Sequence, residues 1–190
     1  MEIGEIKRRQ RKEIKERWKS ISPDMKKEWD TSIFNKFFSL DEYKSANTVF
    51  SFVSMDNEPD TVEIIKKMLL DKKRVCVPKC ISKGIMEAYL ISSLDDLKEG
   101  SYKILEPYGN TLKIEAEDID LSIVPSVSAD RNLKRLGHGG GYYDRFMQNG
   151  NFTRVLISYE ALLLDDVAVE QHDVCCDYLL TEERIYKKQQ

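Results

Sequence analysis

The chain has 190 residues, 41% of them apolar, and a formal net charge of −3. That length suits one domain with an ordinary core, and the composition excludes a disordered or fibrous chain. The charge balance does not suit a polyanion-wrapping protein, and no apolar run approaches the ~18 residues of a membrane-spanning helix.

The basic N-terminus lacks the apolar core of a signal peptide, so a soluble cytoplasmic protein is expected, with no membrane and no nucleic-acid partner. Charge is unevenly placed. From Lys7 to Lys19 eight basic residues stand against two acidic ones, whereas the stretch from Glu115 to Asp120 is acidic. Of the four cysteines, neither Cys76 and Cys80 nor Cys175 and Cys176 has zinc-ribbon spacing. Reduced thiols are expected, rather than a metal site in "HDVCCD".

The first elements are helical. Ile14 and Trp18 are i,i+4 neighbours, and Lys7, Arg11 and Lys15 form a parallel basic line. "SISPDMKKE" predicts a second helix with Ser22 as N-cap and Pro23 at its first position. Met25, Trp29, Ile33 and Phe37, four apart, are its expected buried face. "NTVFSFVS" is β-branched and aromatic, and predicts a buried strand. "EPDTVEIIKKMLLDKK" predicts a turn and a helix capped by Asp60 or Thr61, and "RVCVP" predicts a second buried strand. Strand, helix and strand within about thirty residues form a βαβ unit, hence a parallel sheet with a right-handed crossover.

"GIMEAYLI" predicts a further strand and "DLSIVPSVS" another buried one, followed by a glycine loop. "YYDRFMQNG" predicts a short helix closed near Gly150, and "TRVLISYE" and "DYLLTE" two more strands. There are no repeats or linkers. The expected fold is α/β: a single three-layer α/β/α domain over residues 1–190, with a mostly parallel central sheet and an N-terminal helical pair. Its site is expected at the carboxyl ends of the strands.

The loop "NLKRLGHGGGYYDRF" places four glycines within five positions, from Gly137 to Gly141. Glycines weaken a fold locally, but they let backbone amides approach a ligand and adopt φ > 0. A loop passing from a buried strand into a helix suits phosphate, because the helix N-terminus offers unpaired N–H groups and a favourable dipole. Lys134 and Arg135 would add positive charge at its rim. Neither standard nucleotide fingerprint fits. Gly141 is followed by Tyr142 and Tyr143 rather than Lys-Ser/Thr, and position 142 is not the glycine that a dinucleotide motif starting at Gly137 needs. A non-Walker phosphate loop is the remaining reading.

"RLGHGGGYYDR" resembles the signature of the 5-formyltetrahydrofolate cyclo-ligases, also called methenyltetrahydrofolate synthetases. The likeness extends in order along nearly the whole chain, through "KRRQRKEIK", "FSFVSMDNEPDTVEIIKKML", "RVCVP", the glycine loop and "HDVCCDYLLTE". It implies an enzyme using ATP and Mg²⁺ on 5-formyltetrahydrofolate, small molecules both, in a protein expected to be a monomer. Lys7 and Arg11 correspond to contacts with ATP phosphates, which agrees with their i,i+4 spacing. Alone, such a helix would read as a solvated basic face. Val53 and Glu58 correspond to folate contacts.

The resemblance further implies that Arg135, Leu136, Gly137, His138, Gly139, Gly140, Gly141, Tyr142 and Tyr143 form the ATP-binding stretch. His138 to Tyr142 would also border the folate. Asp144 and Asp177 correspond to Mg²⁺ ligands, an arrangement that phosphate oxygens and water would complete. The catalytic candidates are Arg11, Arg135 and Tyr142. The implied reaction phosphorylates the formyl oxygen and closes a ring through N10. It needs positioning and charge stabilisation rather than a nucleophilic triad.

The match departs at Ser126 and Ala129, where the family commonly shows glycine and phenylalanine, and at His138, an uncommon choice in the loop. "EALLLDDVAVEQHD" also lacks a glutamine and a proline often found there. Two other readings are a binding protein that has lost catalysis or holds RNA on its first helix, and a sugar-phosphate isomerase or CoA-transferase on a related architecture. The retained Lys7, Arg11, Glu58, Asp144 and Asp177 argue against the first. The second leaves the Lys7/Arg11 helix without a role.

Overall fold

The computed structural model describes residues 2–100 and 103–188. Three helices come first: α1 (Ile3–Trp18), α2 (Pro23–Ser39) and α3 (Asp41–Ser45). Strand β1 (Thr48–Ser51), helix α4 (Val62–Leu70) and strand β2 (Arg74–Ser82) form the expected βαβ unit. β3 (Ile85–Ile91), β4 (Leu97–Glu99), β5 (Leu105–Pro107) and β6 (Lys113–Ile114) follow. After β7 (Leu121–Val124) come β8 (Ser128–Ala129), β9 (Arg135–Leu136), helix α5 (Tyr142–Met147), β10 (Thr153–Ile157), β11 (Tyr178–Leu180) and β12 (Ile185–Lys187).

The main sheet has eight strands in the order β12-β11-β10-β7-β1-β2-β3-β6. Its five central strands are parallel, and β12, β3 and β6 join antiparallel at the edges. Parallel strands are buried on both faces, and all four residues of β1 and all four of β7 are buried, Thr48, Ser51 and Ser122 included. One face packs on α1, α2 and α4 through Ile14, Ile33, Phe37 and Ile65. The other packs on α5 through Phe50, Phe146 and Met147. The expected three-layer α/β/α architecture and its N-terminal helices are therefore present.

Ser22 caps α2 as expected, its hydroxyl accepting the Met25 N–H at 3.2 Å. Asp60 rather than Thr61 caps α4, through the Val62 N–H at 2.7 Å. The Thr61 hydroxyl instead donates to the Phe52 carbonyl and accepts from Ser54 N–H, closing the turn after β1. Met25 departs from its expected burial. It lies in the first turn of α2, ahead of the packed stretch, and is 38% exposed, whereas Trp29 meets Tyr159 at 5.1 Å and Ile33 and Phe37 are buried.

Two strand expectations change. "GIMEAYLI" is β3, antiparallel to a β2 that runs four residues beyond the expected "RVCVP" stretch. "DLSIVPSVS" is not one strand: β7 stops at Val124, before Pro125, and the chain then makes the two-residue hairpin strands β8 and β9. The glycine loop consequently leaves the short hairpin strand β9 and not β7 of the main sheet. β1 pairs with β2 on one side and β7 on the other, so the connections diverge at the carboxyl ends of β1 and β7. A crevice at that switch point is where open α/β sheets bind ligands.

Candidate active site

A cavity of about 600 Å³ opens at that switch point, within the size range of small-molecule sites. Phe52 and Val53 leave β1 into it, Pro125 leaves β7, and Pro78 and Cys80 come from the far end of β2. The glycine loop crosses its mouth, from Gly137 to Gly141.

One half is cationic. Lys7 and Arg11 project from successive turns of α1, as their spacing predicts, and both line the cavity with Arg135. Arg11 Nε donates to the Gly137 carbonyl at 2.8 Å, and its guanidinium lies against Gly139, where a Cβ would sit 3.5 Å from Cζ. Gly139 has φ +98° and Gly141 φ +66°, conformations that favour glycine. Burial lowers the pKa of Arg11, with Asp173 and Glu170 opposing, but a guanidinium stays charged.

Arg135 is 7% exposed. Its Nη1 donates to the Pro125 carbonyl and its Nη2 pairs with Asp144 Oδ2 at 2.7 Å, while the buried Nε finds no acceptor among the described residues. An orphaned buried donor beside a glycine loop fits an anionic ligand.

Lys7 is 8% exposed, and its Nζ lies 2.7 Å from Glu170 Oε2 and 2.6 Å from Asp173 Oδ2. Burial alone would lower its pKa. The hydrogen bonds to Asp173 and Glu170 outweigh that and raise it. Asp173 is correspondingly held below the usual carboxylate range: burial would raise it, and the Lys7 hydrogen bond overcomes this.

The other half is apolar, walled by Phe52, Val53, Pro78, Met86 and Ile104, with Tyr142 and Tyr143 beneath the glycine loop. Tyr143 also packs on Phe50 at 6.2 Å, and burial drives its phenol pKa far up, so it stays protonated. Two carboxylates interrupt this wall. Glu58, 5% exposed, accepts the Met55 N–H at 2.9 Å, and Glu106 accepts the Cys80 N–H at 3.2 Å. His138 of the glycine loop meets this wall, its Nε2 lying 3.3 Å from Glu58 Oε1.

The structure thus brings Lys7, Arg11, Val53, Glu58, Arg135, His138, Tyr142, Tyr143 and Asp144 to one cavity with the four glycines. Three expected positions differ. Leu136 faces the core at 1% exposure, so only its backbone can belong to the loop. Lys134 turns from the rim to pair with Asp166 at 2.6 Å. Of the expected metal pair, Asp144 lines the cavity and Asp177 does not. Asp177 Oδ2 accepts the Arg154 N–H at 2.8 Å, next to the β10–β11 pairing. The acidic wall residues in that segment are Glu170 and Asp173, which with His172 place one ligand atom each within 4.8 Å of one another. "HDVCCD" contributes no cysteine to this group, and all four cysteines are free thiols.

Several positioning residues escape a reading of the sequence. Gln10 on α1 donates to the Asp166 carbonyl at 2.7 Å and accepts from Ala168 N–H, bringing the segment before Glu170 to Lys7. Arg145 holds the loop from behind, donating to the carbonyls of Gly84 (2.6 Å) and Gly140 (2.5 Å). Asp130, fully buried, accepts three backbone N–H groups, from Asn132, Lys134 and Val167. A short polar side chain between apolar runs signals such turns, but its distant partner cannot be read from spacing.

Fold and cavity together define a class: an α/β enzyme whose glycine loop separates a cationic half-site from an apolar one. The chain belongs to the 5-formyltetrahydrofolate cyclo-ligase family, whose model matches residues 3–182. A probable 5-formyltetrahydrofolate cyclo-ligase of Schizosaccharomyces pombe is 30% identical over 173 residues, 82% of this chain and 85% of that one. The 5-formyltetrahydrofolate cyclo-ligase of Escherichia coli K12 is 26% identical, over 92% of this chain and 99% of that one. The NMR structure of a 5,10-methenyltetrahydrofolate synthetase from Aquifex aeolicus superposes with a TM-score of 0.88. It covers 97% of this chain and 94% of that one at 24% identity, a likeness of fold. No helix among the described residues is long and apolar enough to cross a membrane.

Proposed function

We propose that the protein converts 5-formyltetrahydrofolate to 5,10-methenyltetrahydrofolate at the expense of ATP, with Mg²⁺. The observation that carries the ATP-dependent reading is the loop from Gly137 to Tyr143, one segment facing both half-sites. Arg11 and Arg135 stand on its cationic side, and Glu58 meets its His138 on the other. A reaction that moves a phosphoryl group from one substrate to another requires such a shared wall.

The apolar half suits the flat pterin, and the Glu58 carboxylate suits the hydrogen-bond donors on a pterin edge. The triphosphate would lie along Lys7, Arg11 and Arg135, where the orphaned Arg135 Nε gains an acceptor. The formyl oxygen attacks the γ-phosphorus and the bond to the ADP oxygen breaks. N10 then attacks the activated carbon, the N10 proton is lost, and the C–O bond breaks with release of phosphate. Arg11 and Arg135 stabilise charge on the transferring group, the glycines permit close approach, and Tyr142 and Tyr143 shield it from water. Among the cavity's oxygen donors, Glu170 and Asp173 fit a hard cation, with Asp144 nearer the loop and already paired to Arg135. When bound, Mg²⁺ would neutralise phosphate charge.

Purified protein should generate the near-ultraviolet absorbance of the methenyl product from 5-formyltetrahydrofolate only when ATP and Mg²⁺ are both present. Folded protein giving no signal, or an equal signal without ATP, would reject this reading.

A further inference from the structure

Resting on that reading, we propose that Arg145 is a positioning residue that couples the two half-sites. It ties the wall of the apolar half to the glycine loop, so that filling one half favours binding in the other.

The juxtaposition is direct. The β2–β3 hairpin carries Pro78, Cys80 and Met86 in the apolar wall and turns at Gly84. Arg145 stands on α5 between that turn and the glycine loop. Its Nε donates to the Gly84 carbonyl at 2.6 Å and its Nη2 to the Gly140 carbonyl at 2.5 Å, so one planar fork holds a carbonyl from each wall. Both turns leave room for it. Gly84 has φ +78° and Gly141 φ +66°, and a Cβ would come within 2.2 Å of Arg145 Nη2 at Gly84 and 2.9 Å of Nη1 at Gly141. Arg145 is exposed and makes no ion pair among the described residues, so the bridge rests on carbonyls rather than on a charge partner.

The hairpin has use for such a tether. β1 accompanies β2 only as far as Cys76, and β6 pairs with β3 only at Ala88 and Tyr89. Between them Pro78 to Met86 form a two-stranded ribbon with no third strand paired to it among the described residues, and its register shifts between Cys80 and Ser82. A two-stranded ribbon by itself is marginally stable. Glu106 holds this one midway, through the Cys80 N–H, and Arg145 holds its tip.

Coupling follows from the shared tether. A folate seated against Pro78 and Met86 orders the ribbon, and Arg145 carries that order to the Gly140 carbonyl. The nucleotide then meets a loop with less freedom left to lose. By reciprocity, the nucleotide favours the folate by the same factor. Without the fork each half still binds its ligand, but independently.

Isothermal titration calorimetry with the β,γ-imido analogue of ATP and Mg²⁺, with and without saturating 5-formyltetrahydrofolate, measures the coupling without turnover. In wild type the folate should tighten the analogue about tenfold, within the usual range for two coupled ligands. Two variants break the bridge without removing a charge. Arg145→Lys keeps the cation, but a point donor cannot span both carbonyls. Gly84→Ala places a Cβ where Nη2 now lies. Each should bring the coupling to within about twofold of none, and the double variant should lose no more than either alone. Gly109→Ala, at φ +73° away from the cavity, should keep it in full. The analogue alone should also slow amide hydrogen exchange in the ribbon of wild type and not of Arg145→Lys. Full coupling in Arg145→Lys or Gly84→Ala, or none in a wild type that binds both ligands, overturns the proposal and leaves the ligase reading standing. If wild type fails to bind one of the two ligands, that reading falls and the proposal with it.

Discussion

Arg11 Nε donates to the carbonyl of Gly137 at 2.8 Å, tying the first helix to a loop 126 positions further along the chain. The remaining guanidinium nitrogens lie beside Gly139 and face the cavity. Arg11→Ala should therefore lose both a loop anchor and a transition-state donor. By analogy with a single lost oxyanion donor, kcat should fall about 10²–10³-fold, or ~2.7–4 kcal/mol. Arg11→Lys should recover little, since an ammonium cannot serve the carbonyl and a phosphate in one plane. Steady-state kinetics with an ATP titration check this, and unchanged turnover and ATP affinity in Arg11→Ala would return the residue to a solvated face.

Gly139→Ala separates loop geometry from overall stability. At φ +98° an alanine is strained by about 1–3 kcal/mol, although its Cβ would meet Arg11 only at an ordinary 3.5 Å. Gly109, at φ +73° with nothing within 4 Å of a Cβ, provides a control away from the cavity. Both alanines should lower the melting temperature by similar small amounts. Gly139→Ala alone should reduce kcat/KM, by about tenfold or more, because a small misplacement of a positioning loop is costly. Equal kcat/KM in the two variants would mean that the loop does not shape the reacting geometry.

The fold was legible wherever a pattern spans a turn or more. Four-residue spacing on α1 and α2 and the apolar runs of β1, β2, β7, β10 and β11 announced the helices and the parallel core. The two-residue strands β6, β8 and β9 are too short to show a period, so the hairpin before the glycine loop has no signal in the sequence. The site divides similarly. The glycines are contiguous, so local spacing exposes them, whereas Lys7 and Arg11 share a helix face that alone reads as solvated and is singled out only by the family resemblance. Glu106, Met86 and Cys80 reach the cavity through the β2–β3 and β4–β5 pairings, which composition does not reveal. The Asp173/Asp177 distinction depends on where the chain enters β11: four residues earlier the segment is still cavity wall.

Cys80 offers a direct probe of the apolar half. It lines the cavity, and burial together with Glu106 pushes its thiol pKa up to about 11. Cys175 is exposed, whereas Cys76 and Cys176 are buried and pushed up to about 12. The thiolate is the reactive form, so at pH 8 only about one Cys80 in a thousand is poised to react. Iodoacetamide should label Cys175 first and Cys80 slowly, sparing the other two until the protein unfolds. Saturating 5-formyltetrahydrofolate should slow Cys80 alone, read by peptide mass mapping. Unprotected Cys80 under those conditions would place the folate elsewhere.

Glu160 and Glu182 should bend the stability profile in opposite senses on acidification. The Glu160 side chain is 9% exposed and accepts hydrogen bonds from Tyr186 (2.6 Å), Thr181 (2.8 Å) and Arg131 (3.1 Å). Burial would raise its pKa, but these bonds outweigh it and hold it below 4.5. Its stabilisation is thus complete above pH 4.5 and is lost as pH falls through the lowered folded value. Glu182, whose pKa burial raises, behaves oppositely: its carboxylate is disfavoured at neutral pH, and protonation relieves that as pH falls through the raised value. Glu160→Gln should cost about 1–3 kcal/mol at pH 7, as hydrogen bonds to a charge are lost, and its melting temperature should fall less steeply than wild type below pH 4.5. Glu182→Gln should remove the opposing relief, so its melting temperature should fall more steeply than wild type as the pH approaches 4.5 from above. Thermal melts from pH 7 to pH 3 distinguish the two. Parallel profiles for both variants would show that these hydrogen bonds do not hold Glu160 ionised in the folded protein.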